Sequence, residues 1–135
     1  MNFQEKLNKI VTKNNSLVCV GLDQGEFEFN QNIIDQTHDL VCAYKPNFAF
    51  YEALGTRGWE SLKKTVAYIQ EKYPEIVTIA DAKRADIGNT NAGYVKAIFD
   101  EGVGSSSASF EIVETKEFSF RILLIILAIV IVIVL

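Results

Sequence analysis

Over the first hundred residues the apolar positions switch repeatedly between two spacings. Phe3, Leu7, Ile10 and Val11 recur at helical intervals within "MNFQEKLNKIVTKNN". The run "SLVCVGLD" (16–23) is short, apolar and closed by a turn, as expected of a strand buried on both faces. "NQNIIDQTHDL" (30–40) predicts a helix with Ile33 and Ile34 turned inward, and "VCAYK" (41–45) a second strand stopped by Pro46. "NFAFYEALG" predicts a short helix ended by Gly55. A longer helix follows from about Trp59, with Leu62, Val66 and Ile69 on one face and "EKYP" closing it. "EIVTIAD" (75–81) is a third strand, and "NTNAGYVKAIFDEG" a further helix with Gly102 at its C-terminal end. Strands separated by helices imply an α/β chain of βαβ units, with a parallel sheet and right-handed crossovers.

Beyond Gly102 the pattern stops. "GVGSSSAS" (102–109) has linker composition, and Ile122–Leu135 contains no polar residue. The expected divisions are therefore 1–103 as the α/β part, 104–117 as a linker and irregular segment, and 118–135 as an apolar tail. A membrane-crossing helix needs about 20 residues; the tail offers 14, or 18 counted from Phe118. Lys116 and Arg121 on its N-terminal flank would suit a cytoplasmic side. Nine of the last 14 residues are Ile or Val, which also favours β-aggregation. Three readings stand: a tail anchor, a strand in an irregular core, or an unnatural end left by truncation or a shifted reading frame.

Composition narrows the class. At 135 residues and 49% hydrophobic, the chain can build one modest core. A net charge of −4 gives no support for nucleic-acid binding, which needs a basic patch. Cys19 and Cys42 lie in apolar runs, outside any CxxC or metal-ligand spacing, and read as small core residues. Nothing suggests an oxidising compartment, and the opening helix pattern, charged throughout, is not a signal peptide. His38, the only histidine, reads as a helical surface or half-buried residue away from the strand ends. Phe48, Phe50, Tyr51 and Trp59 read as core and interface packing, and "GTRGW" (55–59) as a helix-to-helix turn.

Charge collects where the predicted strands end. The first closes on Asp23, the second on Lys45, and the third on Asp81 and Lys83 within "IADAKRADIGNT". In parallel α/β proteins the C-terminal strand ends and their loops build the active site. Strand alternation would point Asp81 and Lys83 to one side. A lysine held between carboxylates stays protonated and can serve as a general acid or steady a carbanion. A carboxylate placed beside a substrate carboxylate repels it, and the repulsion is relieved as CO2 leaves. The spacing alone leaves open decarboxylation and related enolate or carbanion reactions.

The segments "VCVGLD", "IIDQTHDLVCAYKPNFAFYEALGTRGWESLKKTVAYI" and "DAKRADIGNTNAGYVKAIF" closely resemble the orotidine 5'-phosphate decarboxylase family, in its longer bacterial subgroup. The resemblance runs from about residue 3 to about Gly102. The DxKxxD element is shared with 3-keto-gulonate-phosphate decarboxylase and hexulose-phosphate synthase, whereas "AYKPNFAFYEALG" is much more specific to the orotidylate enzymes. The resemblance implies that Asp23 and Lys45 contact the ribose hydroxyls, that Asp81 faces the leaving carboxylate, and that Lys83 protonates C6 of the pyrimidine. It implies a homodimer in which Asp86, Ile87 and Thr90 cross into the partner's site, completing a Lys-Asp-Lys-Asp array. The implied substrate and product are orotidine 5'-phosphate and UMP, in the cytoplasm, with no metal and no organic cofactor. Arg84 is read as a structural or surface residue.

The implied fold is a TIM (β/α)8 barrel, which typically takes about 250 residues. Only its first three βα units have counterparts here; the strands carrying the family's closing loop and phosphate-gripping arginine do not. The expectation is thus a partial barrel with an unrelated apolar tail. The competing expectation is a catalytically dead fragment, acting in association with other chains or anchored to a membrane through residues 118–135.

Overall fold

In the computed structural model, residues 2–84 and 86–100 are described. Helix α1 (Phe3–Asn14) begins at a capping box: the Asn2 side chain accepts from the Glu5 amide at 2.9 Å, and the Glu5 carboxylate accepts from the Asn2 amide at 3.1 Å. It stops at Asn15, whose left-handed backbone (φ 45°) closes the last turn. Strand β1 (Cys19–Gly21), helix α2 (Phe27–Thr37), strand β2 (Ala43–Lys45), helices α3 (Phe48–Glu52) and α4 (Thr56–Lys72), strand β3 (Val77–Thr78) and helix α5 (Gly88–Val95) follow. A π-helical turn spans Lys96–Asp100.

The strands form one parallel sheet in the order β1-β2-β3, in the register Cys19↔Ala43, Gly21↔Lys45 and Ala43↔Val77. The α/β expectation and its parallel sheet are observed. The regular strands are shorter than the apolar runs suggested. The β2–β3 ladder nevertheless continues past β3 through Ile79 N to Tyr44 O (2.9 Å) and Asp81 N to Pro46 O (3.1 Å).

The main core cluster joins the sheet to α1, α2 and α4. Ile10, Ile34, Tyr44, Ile69 and Val77 are each at most 1% exposed there, with Phe3, Leu7, Val11 and Ile33 half-buried against them. Phe48, Tyr51, Leu62 and Val66 form a second cluster where α3 meets α4, with Trp59 edge-on to Phe48 at 5.8 Å. The expected inward faces of α1, α2 and α4 are therefore the observed ones. Phe50, expected in packing, is 48% exposed. The turn expected over 55–59 is tighter than that, because α4 already starts at Thr56. His38 is half-buried at the end of α2, stacked on Tyr73 at 4.3 Å. Its carbonyl and that of Val41 both accept from Asn14, which puts it near the start of β2 and away from Lys45.

Cys19 corrects an expectation. Cys42 is buried, but Cys19 is exposed, as are Leu17 (82%) and Val18 (53%). Strand β1 pairs only with β2, and among the described residues nothing covers its other edge. The segments 104–117 and 118–135 lie outside the described residues, as does Gly102. Among the described residues no helix is long and apolar enough to cross a membrane.

The α3–α4 corner depends on Gly58. A Cβ there would sit 1.8 Å from the Tyr51 carbonyl oxygen, so only a glycine lets the first turn of α4 lie against α3. Alanine normally favours a helix interior over glycine by about 1 kcal/mol. Here the backbone collision outweighs that preference. Gly58→Ala is expected to shift the urea unfolding midpoint downward, read by circular dichroism. A midpoint at or above the parent's would show that the two helices separate freely.

Candidate functional site

The strand ends converge on Asp81. Its backbone is fixed twice: its N–H donates to the Pro46 carbonyl at 3.1 Å, and its carbonyl accepts from Phe48 N–H at 3.1 Å. Asn47, which pairs with Asp81 in an isolated parallel bridge, also caps α3 by accepting from the Ala49 amide at 3.2 Å. With its main chain held there, the Asp81 carboxylate receives two ammonium groups. Lys45 Nζ donates to Oδ2 at 3.1 Å, and Lys83 Nζ donates to Oδ1.

Lys83 reaches this position by a route other than strand alternation. The regular strand has ended by Thr78, and Lys83 adopts a left-handed backbone (φ 49°) in the loop beyond. A non-glycine residue there carries a cost of roughly 1–2 kcal/mol. Such outliers persist where the surroundings hold them, often at functional sites. Here the turn brings the ammonium back onto Asp81.

The order Lys45–Asp81–Lys83 is the part of the expected Lys-Asp-Lys-Asp array that lies within one chain. Within the chain the Asp81 carboxylate lies between two lysines. The Lys83 ammonium holds the Asp81 carboxyl below its ordinary range; burial opposes this, and Lys45 adds to the lowering. The Asp81 and Lys45 side chains are 20% and 35% exposed and that of Lys83 is 69% exposed, so the cluster opens to solvent on the lysine side.

Asp23 follows β1 at the adjacent strand end. Its carboxylate oxygens lie 3.5 Å from where a Cβ on Gly21 would stand, and Gly21 is paired with Lys45. Asp86, Ile87 and Thr90 do not join the cluster. Asp86 turns to its own loop, where its Oδ1 accepts from Ile87 N–H at 2.7 Å and its N–H donates to Asn91 at 2.8 Å. Ile87 is 70% exposed, and Thr90, half-buried, lies in the first turn of α5. Arg84 leaves the site: it pairs with Glu52, donates to the Ala82 carbonyl at 2.9 Å and lies 5.8 Å over the Tyr94 ring. Among the described residues no group of His, Cys, Asp and Glu could hold a metal ion. Asn47 and Glu52 are site-supporting residues that the pattern did not single out. Asn47 follows Pro46 at a helix start, which is a recognisable N-cap signature; Glu52 has none.

Comparison with known proteins decides the family. The sequence profile of the orotidine 5'-phosphate decarboxylase / HUMPS family matches residues 16–110. The chain belongs to that family. The curated orotidine 5'-phosphate decarboxylase of Flavobacterium johnsoniae is 50% identical over 111 residues, covering 72% of this chain and 41% of the relative. That of Dehalococcoides mccartyi strain BAV1 is 50% identical over 110 residues, covering 75% and 40%. Among solved structures, the OMP decarboxylase of Leishmania donovani superposes with a TM-score of 0.65 at 34% identity, covering 74% of this chain and 40% of that one. The UMP synthase of the same organism gives 0.65 at 36% identity, covering 72% and 22%.

The chain thus spans about two fifths of the length of the decarboxylase relatives it matches. Its three-stranded parallel sheet resembles part of those folds. The match reaches residue 110, past the change in composition near residue 104. In this decarboxylase-family chain, the least exposed and doubly bonded member of the cluster is Asp81.

The depressed Asp81 pKa has a stability consequence with a definite sign. A carboxyl whose folded pKa is lowered stabilises the fold above its unfolded pKa and loses that contribution as pH falls through the folded value. Lys83→Met removes the larger cause and leaves Lys45. The Asp81 carboxyl is then expected to titrate at higher pH than in the parent, followed by 13C NMR. An unchanged titration would show that the Lys83 contact does not set its ionisation.

Proposed function

We propose that the chain supplies the N-terminal βα units of an orotidine 5'-phosphate decarboxylase barrel, for the step that forms UMP in de novo pyrimidine synthesis. The observation that carries this reading is the Lys45–Asp81–Lys83 cluster at the ends of parallel strands, in a chain of this family. Asp23 and Lys45 bind the ribose hydroxyls. Asp81, ionised at neutral pH, faces the carboxylate on C6 of the pyrimidine. Its repulsion raises the ground state and vanishes as the C6–carboxyl bond breaks and CO2 departs. The bonding pair stays on C6. The Lys83 ammonium stabilises that developing carbanion and then transfers a proton from Nζ to C6, giving UMP. Solvent, which reaches the exposed lysine, restores the proton.

Within one chain the cluster carries two ammonium groups against one carboxylate. In a homodimer, Asp86 of the partner subunit would balance this excess, with the partner's Ile87 and the partner's Thr90 beside it. The placement of Asp86, Ile87 and Thr90 away from their own chain's cluster supports that arrangement. No organic cofactor enters any of these steps.

Two outcomes test the reading. The chain alone is expected to give no detectable UMP from orotidylate and to run as an oligomer on a sizing column. The three βα units among the described residues leave open sheet edges, and the chain spans about two fifths of its decarboxylase relatives. Mixed with a polypeptide carrying the remaining βα units of the Flavobacterium johnsoniae relative, it is expected to gain turnover. In that mixture Lys83→Ala should lower the rate by about 10²–10⁴-fold, the usual range for a lost general acid. Arg84→Ala should keep most of it. Near-normal turnover by Lys83→Ala would place the proton donor elsewhere.

A further inference from the structure

Asp23 lies beyond the regular part of β1. The last β1–β2 bond is Leu22 N–H to the Lys45 carbonyl at 3.2 Å, and from Asp23 to Glu26 the chain runs without strand pairing. Yet the carbonyls on both sides of Asp23 are held by buried side chains. The Tyr51 hydroxyl, on α3, donates to the Leu22 carbonyl at 2.8 Å. Asn30 Nδ2, on α2, donates to the Gln24 carbonyl at 2.6 Å and to the Tyr51 oxygen at 3.0 Å. Tyr51 is 0% and Asn30 1% exposed. A carbonyl can only accept, so the Asn30 amide must present its nitrogen to Gln24.

These polar groups are not explained by packing. A phenylalanine would fill the ring's place in the α3–α4 cluster. A hydroxyl buried there costs free energy unless it is bonded, and removing it leaves the Leu22 carbonyl without its partner. Burial raises the Tyr51 pKa; Asn30 and Thr65 oppose the shift, and the Asp23 carboxylate adds to it. The phenol therefore remains a neutral donor, close enough to Asp23 to sense its charge. The same loop is pressed from outside at Gly25, where a Cβ would meet Leu54 Cδ1 at 2.5 Å and the Phe50 carbonyl oxygen at 3.0 Å. The five-residue helix α3 thus touches three strand ends. Phe48 N–H holds Asp81, Lys45 lies just before it, and Tyr51 holds the residue before Asp23.

We propose that Tyr51 and Asn30 are positioning residues, which clamp the main chain on either side of Asp23 and keep its carboxylate beside the Lys45–Asp81–Lys83 cluster. The clamp acts on the substrate through Asp23, and in that respect it rests on the decarboxylase reading. With Leu22 and Gln24 both anchored, the carboxylate is left with little beyond its own side-chain rotations. That fixes where a ligand hydroxyl must sit relative to Lys45.

Hydrogen exchange on the full chain, read by mass spectrometry, tests the clamp without any substrate. In Tyr51→Phe, amides between Gly21 and Glu26 are expected to exchange about tenfold faster, the effect of one lost net hydrogen bond on local opening. Peptides covering 73–79 should keep the parent rate. Asn30→Ala leaves the Tyr51–Leu22 bond in place, and should loosen 23–26 while sparing 19–22. It also decides the matter if Tyr51→Phe does not fold. In carboxyl 13C spectra of Tyr51→Phe, the Asp23 resonance should move toward that of an unstructured aspartate while the Asp81 resonance stays. Parent-like exchange over 21–26 in both variants, or equal acceleration across all peptides, would overturn the clamp. Because neither readout needs orotidylate, failure of the clamp and failure of the decarboxylase reading, which is tested by UMP formation, are distinguishable.

Discussion

Everything in this fold depends on the double-sided pairing of β2. Ala43 and Tyr44 are buried, so their main-chain groups have no access to water and need partners on both flanks. Parallel neighbours in a single register meet that need: Cys19 and Val77 both align with Ala43. Once the register is set, the residues just past the paired segment have little choice of position. Lys45 ends β2, the chain turns at Pro46 and Asn47, and Asp81 is drawn in beside it by the same ladder. The ion pair between them follows from backbone pairing as much as from charge.

Much of this was visible in the pattern of apolar residues, and the exceptions have physical causes. The inward faces of α1, α2 and α4 could be read because each buries a stripe with helical spacing. The identity of Lys45, Asp81 and Lys83 could be read because charged residues seldom follow apolar strands without reason. The path that joins Lys83 to Asp81 could not, since a left-handed residue outside glycine has no composition signal. Cys19 was misjudged for a different reason. An apolar run says that a strand is meant to be covered, but not whether its cover lies within the same described stretch of chain. The Tyr51–Asn30 pair left no trace either, because an aromatic residue at helical spacing looks like core whether or not its hydroxyl is bonded.

The electrostatics of the site centre on Asp81. Between two ammonium groups the Asp81 carboxyl is held below its ordinary range, chiefly by Lys83. Arg84, next in sequence to Lys83, is tied to Glu52 and Tyr94 and so does not reach Asp81. The site's polarity is thereby kept to the two lysines that reach Asp81, with the open side facing solvent.

The register of β2 also bears on which genetic changes this stretch can absorb. Strand side chains alternate between faces, so removing one codon between Ala43 and Lys45 would turn the following residues to the opposite side of the sheet. Lys45 would then point among the helices, and the turn that holds Asp81 would begin one residue early. A codon gained or lost in the 38–41 connection, by contrast, leaves the paired residues aligned. Length variation among homologues should therefore gather behind the sheet, in the segments that lead into the strands. The few residues that lead out of them should keep a constant count.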